Sequence, residues 1–228
     1  MLNVAIDGPG GAGKSSVAKA VSKAKGLKYL DTGALYRAIG LALSRKGVDL
    51  TDEKAVEGPL KDLEVKLDYD EEGKQLVYVN GEELSPYIRT AEAGQGASKV
   101  AVHRCVRDKL LDIQQSTGKV FDVIMDGRDI GTVVLPNADL KLFITASSQE
   151  RARRRYEELD KAGSPHGTME EMIREIEERD YRDSHRKIAP LKQADDALLL
   201  DTTNMGLEEV VALVGRLVDE ARNKKVGE

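Results

Sequence analysis

Gly8-Pro9-Gly10-Gly11-Ala12-Gly13-Lys14-Ser15 is the stretch on which the fold turns. It fits G-x-x-x-x-G-K-[ST] and stands between a short apolar run, Leu2 to Ile6 ending at Asp7, and a helical pattern, Ser15 to Lys25. A loop that wraps a triphosphate must turn backbone N–H groups inward, through conformations that glycine adopts at little cost. In such a loop Lys14 reaches the β- and γ-phosphates, the Ser15 hydroxyl binds Mg²⁺, and the helix behind presents its positive end to the anion. Gly8, Gly10, Gly11, Ala12, Gly13, Lys14, Ser15 and Ser16 are therefore candidate phosphate-binding residues. The same glycines also fit G-x-G-x-x-G, with Asp31 about where a dinucleotide-binding fold keeps its ribose acid. Lys14-Ser15 has no task in that fold, and the chain carries no evident hydride-transfer machinery. A guanine-reading switch would bring Asn-Lys-x-Asp, but the only Asn-Lys, Asn223-Lys224, lacks the Asp. The bland alternative is a Gly-rich strand-to-helix turn.

Outward from the loop, Leu27 to Leu30 reads as a second strand closed by Asp31-Thr32-Gly33, Val120 to Met125 as a third ending at Asp126, Asp139 to Ala146 as a fourth, and Ala197 to Leu200 as a fifth. Short strands alternating with helical patterns predict an α/β fold, a parallel sheet covered on both faces. Leu63, Val65, Leu67 and Tyr69 break that rhythm by alternating with polar residues. A turn at Asp70 to Gly73, a strand at Leu76 to Val79 and a hairpin signal at Asn80-Gly81 complete an antiparallel meander inserted between the second and third parallel strands. A second excursion, helical and Arg-rich, runs from about Glu150 to Arg186 and is interrupted at Gly163-Ser164-Pro165.

At roughly 150 residues per domain, 228 residues make one or two domains. No apolar run approaches the roughly 20 residues of a membrane span, and no leader pattern precedes Asp7, so the cytoplasm is expected. The single cysteine, Cys105, excludes an internal disulfide framework and a cysteine-based zinc site. The net charge of -5 and the absence of Trp argue against a nucleic-acid or anionic-membrane surface. Eight of the 16 arginines lie between Arg151 and Arg186 among ten acidic residues. That mixture suits guanidinium groups placed one by one around a small polyanion rather than a polybasic track.

Five stretches together resemble the bacterial cytidylate kinases, of the nucleoside monophosphate kinase family. They are Asp7 to Ser15, Leu30 to Arg37, Ala97 to Ala101, Asp126 to Val134, and Arg179 to Arg186 with Ala189-Pro190-Leu191. The resemblance covers essentially the whole chain; a slight departure is Gly10, where Ala or Ser is commoner. It implies a P-loop-type core with a five-stranded parallel sheet, a monophosphate-binding insertion at about 34–96 and a helical lid at about 155–178, with core segments at 1–33, 97–154 and 179–228. It implies transfer of the γ-phosphoryl group of ATP to CMP, and to dCMP, with Mg²⁺; UMP or another small acceptor and a regulatory nucleotide-binding module are the alternatives. By the same resemblance Arg37, Arg128 and Arg186 hold the acceptor phosphate, Ser98, Arg107 and Asp129 read cytosine, and Arg179 and Asp183 hold the ribose. Asp31 and Thr32 lie near the acceptor, Arg151 and Arg155 near ATP; Lys14, Arg128, Arg155 and Arg186 are the expected catalytic residues. Asp126, at a strand end, is assigned to the Mg²⁺ shell. A monomer acting on small molecules is expected, with no nucleic-acid or membrane partner.

Spacing allows plainer readings. Arg179, Asp183 and Arg186 fall on one stripe of a helix, which is also the pattern of a solvated face with i,i+4 pairs; Arg151 and Arg155 raise the same choice. Ser98 and Arg107, nine apart, lie on opposite faces of a straight helix, so a shared base requires a break near His103. Asp129 and Asp31-Thr32-Gly33 could serve only as turn or helix caps, and Arg37 and Arg128 only as surface ion-pair partners. His103, His166 and His185 lack metal spacing and are expected to be structural.

Overall fold

The computed structural model describes residues 1–227. Its main sheet holds β1 (Asn3–Asp7), β2 (Lys28–Asp31), β6 (Val123–Asp126), β7 (Leu140–Thr145) and β8 (Leu198–Asp201), all parallel, in the order β2-β6-β1-β7-β8. A parallel sheet needs cover on both faces, and the side-chain alternation supplies it. Val4, Ile6, Ile124, Leu142 and Ile144 point to the face covered by α1 (Lys14–Lys25) and α8 (Leu207–Gly227), through Val17, Val21, Val210, Val214 and Val218. Ala5, Leu30, Val123 and Met125 point to the other face, under α2 (Thr32–Arg45) and α5 (Arg104–Val120). Strand β1 is central, so the loop leaving its C-terminal end opens where the strand order reverses, the usual place for a ligand in an open α/β sheet.

The third parallel strand starts later than its apolar run predicts. Val120 ends α5, and the Phe121 N–H still bonds back to the Thr117 carbonyl at 3.0 Å. Parallel pairing begins only where Val123 meets Asn3. A run of apolar residues interrupted only by Asp122 does not by itself mark where helical hydrogen bonding stops.

The insertion contains α3 (Glu53–Lys61), β3 (Val65–Tyr69), β4 (Gln75–Val79) and β5 (Glu82–Glu83), followed by α4 (Ala91–Val100). Its three strands form an antiparallel sheet in the order β3-β4-β5. Leu63, Val77, Val79 and Leu84 are buried in the same cluster as Leu35, Ile39 and Leu43 of α2, so this sheet shares the core of the main domain. The helices α6 (Ser148–Lys161) and α7 (Met169–Ser184) pack on each other after β7. They bury little: Arg151 and Ala152 from one, Met172 and Asp183 from the other.

Candidate active site

Glycine at position 8 is dictated by space as well as by conformation. Its φ is 144°, and a Cβ there would lie 1.9 Å from the Ile144 carbonyl oxygen. Gly11 and Gly13 also hold positive φ, 77° and 86°. Gly13 is the N-cap of α1 and offers no side chain, whereas α2, α3, α4, α6 and α7 each start under a side-chain cap. The first N–H groups of α1 are left for an anion. Lys14 is buried and donates to the Pro9 carbonyl at 2.7 Å. Burial lowers its pKa and Arg128 lowers it further, against the pull of Asp126 and Asp7. The Ser15 hydroxyl donates to Asp126 Oδ2 at 2.7 Å, and the Tyr29 hydroxyl donates to Asp126 Oδ1 at 2.8 Å. The Thr32 hydroxyl donates to the Asp126 backbone carbonyl at 2.8 Å. Burial, then the neighbouring Asp31, raises the Asp126 carboxyl.

Arg151, expected near ATP, lies behind the loop with its donors on protein partners. It is buried and spends its donors on the Ala146 carbonyl (2.9 Å), the Gly10 carbonyl (3.0 Å) and Asp180 Oδ2 (2.6 Å), supporting the loop from behind. Arg155, one turn along α6, is exposed and close enough to Arg179 to lower its pKa. Arg154, absent from the sequence reading, donates to the Thr202 carbonyl at 2.6 Å and to Glu150 at 2.8 Å. Its Nη1 lies 3.7 Å from where a Gly13 Cβ would be. The signal for it was present, since residues 151, 154 and 155 share one helix face.

Across the loop mouth, arginines gather from three segments. Arg37 Nη2 donates to Asp31 Oδ2 at 2.7 Å, while Asp31 Oδ1 caps α2 by accepting from the Ala34 N–H at 3.0 Å. The capping reading and the site reading of Asp31 thus both describe one carboxylate. Asp183 accepts from Arg128 Nε at 2.8 Å on one oxygen and from Arg186 Nη2 at 2.7 Å on the other. Arg186 is not on the helical stripe predicted for it: α7 ends at Ser184, and the chain reaches Asp183 again only after turning at His185. A Cβ on Gly10 would sit 3.3 Å from Arg128 Nη2 and 3.7 Å from Arg179 Nε, so both guanidinium groups lie against the loop. Burial and then Arg128 lower Arg179 to about 10. The Nε atoms of Arg37 and Arg179 are buried without a hydrogen-bond partner.

Helix α4 ends at Val100 and α5 starts under His103, which is the break that a shared role for Ser98 and Arg107 requires. Arg107 Nη1 donates back to the Ala101 carbonyl at 3.1 Å, and Nη2 pairs with Asp129. The Arg107 guanidinium also lies 5.7 Å from the centre of the Tyr36 ring, whose hydroxyl burial raises to about 12. His103 bonds to the Leu50 carbonyl at 2.8 Å. Asp7 was missed as well. It ends β1 and takes the Ile130 and Gly131 N–H groups, each at 2.7 Å, on its two oxygens. Those N–H groups open a π-helical turn, Ile130–Val134, directly after Asp129. Burial raises the Asp7 carboxyl to about 6 against these two bonds.

Among the described residues no three His, Cys, Asp or Glu side chains cluster as a metal site. Ser15 and Asp126 offer hard oxygens at the loop mouth, and Mg²⁺ bound with a nucleotide needs only one or two such protein ligands. The donor set fits that ion. Among the described residues no helix is long and apolar enough to cross a membrane.

A model of the family described as cytidylate kinase matches residues 4–220. The cytidylate kinase of an Exiguobacterium species is 47% identical over 221 residues, 97% of this chain and 98% of that protein. That of Shouchella clausii is 49% identical over 219 residues, 96% of each. That of Bacillus subtilis is 47% identical over 219 residues, 96% of this chain and 97% of that protein. With the model and the relatives spanning nearly its full length, this chain belongs to the cytidylate kinase family.

Proposed function

We propose that the chain transfers the γ-phosphoryl group of ATP to CMP and dCMP, giving ADP and the nucleoside diphosphate. The observation that carries this reading is the set of half-buried arginines around the mouth of the phosphate loop: Arg128 and Arg179 lie against Gly10, and Arg179 and Arg37 each keep a buried Nε donor without a partner. Buried donors without partners are costly unless a ligand completes them, and a phosphate dianion is the acceptor that suits guanidinium forks. In this reading Arg37, Arg128 and Arg186 hold the acceptor phosphate, and Arg179 and Asp183 hold the ribose. Asp129 with Arg107 and Ser98 faces the base, and Gly8 to Ser16 bind ATP. Lys14, Arg128, Arg155 and Arg186 stabilise charge on the transferring group.

Phosphoryl transfer demands alignment and charge neutralisation more than covalent chemistry. A nucleotide monophosphate is already ionised near neutral pH, so its oxygen attacks without a general base. Mg²⁺, when bound, neutralises phosphate charge; Ser15 would hold it and Asp126 would order its surroundings. The hairpin α6–α7, with few apolar anchors, is suited to close over the site and exclude water that would otherwise take the phosphoryl group. The reading also expects a cytoplasmic monomer. A coupled assay with ATP against a panel of nucleoside monophosphates tests it: CMP and dCMP should be the preferred acceptors, and ATP consumption that no acceptor stimulates would overturn it.

A further inference from the structure

The core-facing side of β4 carries Gln75, Val77 and Val79, and the two valines are buried. A glutamine on an otherwise apolar face needs polar partners, and here both come from one residue of another sheet. Gln75 Oε1 accepts from the Asp31 N–H at 2.7 Å, and Gln75 Nε2 donates to the Asp31 carbonyl at 3.2 Å. Asp31 ends β2, the edge strand of the main sheet, so the Gln75 amide takes the place of a further strand at that point. Directly opposite Gln75 across the hairpin is Tyr69, whose hydroxyl donates to the Tyr29 carbonyl of the same edge at 3.2 Å. The hairpin end is stiffened by its own turn, with Asp70 N–H bonded to the Lys74 carbonyl at 3.0 Å and Gly73 N–H to the Asp70 carbonyl at 2.9 Å.

The Asp31 side chain has no slack either. One oxygen caps α2 and the other holds Arg37. A shift of the Asp31 peptide is therefore passed to the Arg37 guanidinium. We propose that Gln75 is a positioning residue for the acceptor phosphate: by fixing the Asp31 backbone it sets Arg37, and this makes the antiparallel insertion a working part of the acceptor site. The inference rests on the reading of Arg37 as a phosphate ligand. Arg37→Ala alone, which should raise KM for CMP, tests that reading by itself; the cycle below tests Gln75.

The experiment is a kinetic double-mutant cycle over Gln75→Met and Arg37→Ala, with Tyr69→Phe as the comparison. Methionine keeps the length of glutamine and loses both hydrogen bonds. Gln75→Met should raise KM for CMP about tenfold, as misplaced positioning groups do, and leave KM for ATP within about twofold. In the Arg37→Ala background the same change should move KM for CMP by less than about twofold, because coupled residues are not additive. Tyr69→Phe removes the neighbouring edge bond without touching Asp31 and should stay near wild type. If Gln75→Met proves too unstable by circular dichroism to assay, Gln75→Glu serves; it keeps the acceptor for the Asp31 N–H, sets an oxygen against the carbonyl, and should show the same dependence on Arg37. The proposal is overturned if the Gln75 effect is absent, if it is equal in both Arg37 backgrounds, or if Tyr69→Phe raises KM for CMP as much.

Discussion

On the donor side Lys14, Ser15 and Arg151 each have a protein partner, and the loop that holds Lys14 and Ser15, with Arg151 behind it, is one run of sequence. On the other side Arg37, Arg107, Arg128 and Arg186 pair with three carboxylates, from Asp31, Asp129 and Asp183, and Arg179 stands beside Asp183. These arginines are spread along the sequence from Arg37 to Arg186, and Arg128 and Arg179 lie against the donor loop at Gly10. The donor loop is thus preorganised by local backbone geometry. The arginine basin is held by ion pairs, two of them between distant segments, and in the proposed reading its guanidinium groups meet the charge of an incoming phosphate.

The largest effect that tests this contrast is Lys14→Met. If the loop acts through one fixed charge, kcat should fall by about 10²–10³, as for other preorganised electrostatic groups. Stability should hold, because burial and Arg128 already disfavour the ammonium, which offsets the lost attraction to Asp126 and Asp7. Near-normal turnover in a normally stable variant would break the donor half of the comparison.

Arg128→Ala and Arg186→Ala address the other half. Each should raise KM for CMP and lower kcat, with kcat/KM down about 10²-fold, since a lost bidentate grip also misaligns the phosphate. ATP affinity, measured by titration calorimetry, should change far less. A collapse of ATP affinity with intact CMP kinetics would move these arginines to the donor side.

The same contrast explains what could be read from residues alone. The loop, the five parallel strands and the meander were legible because each depends on neighbours in sequence: glycine spacing, alternation, a turn dipeptide. The break between α4 and α5 followed from requiring two distant residues to share a face. Asp7, Gln75 and the inward turn of Arg151 were not legible. Each is defined by backbone groups elsewhere in the chain, at Ile130, Asp31 and Gly10, and no local pattern announces a side chain that serves a distant peptide. Arg186 was misplaced for the opposite reason, since an i,i+7 spacing looks helical even where the helix has ended.

Asp129→Asn sharpens the comparison within the acceptor basin. A carboxylate only accepts, so it pairs with the cytosine amino group and opposes uracil O4 as one acceptor against another. An asparagine amide presents either group. The CMP-to-UMP ratio of kcat/KM should narrow about tenfold. An unchanged ratio would remove Asp129 from base reading and leave discrimination to Ser98 and Arg107.

The smallest effect concerns the ion pairs that hold the basin together. Burial raises the Asp183 carboxyl, but Arg128 and Arg186 outweigh it, and the net shift is downward from 3.8. A carboxyl whose folded value lies below its unfolded value binds fewer protons when folded between the two. Its stabilisation is complete above the unfolded value, declines as pH falls towards the folded one, and is gone below it. Asp183→Asn should therefore lower Tm at pH 7 by about 3–6 °C, or about 1–2 kcal/mol, allowing for the partly solvated Arg128. The gap from wild type should close as pH drops below about 4. Asp7 has the opposite sign, because burial raises it to about 6 and its contribution is lost as pH rises through that value. It is common to both proteins and drops out of their difference. Melting curves of both from pH 3 to 8 make the measurement, with the range chosen to bracket about 4. A gap that does not change with pH would mean that Asp183 acts through packing alone, and the basin would then owe its shape to something other than paired charge.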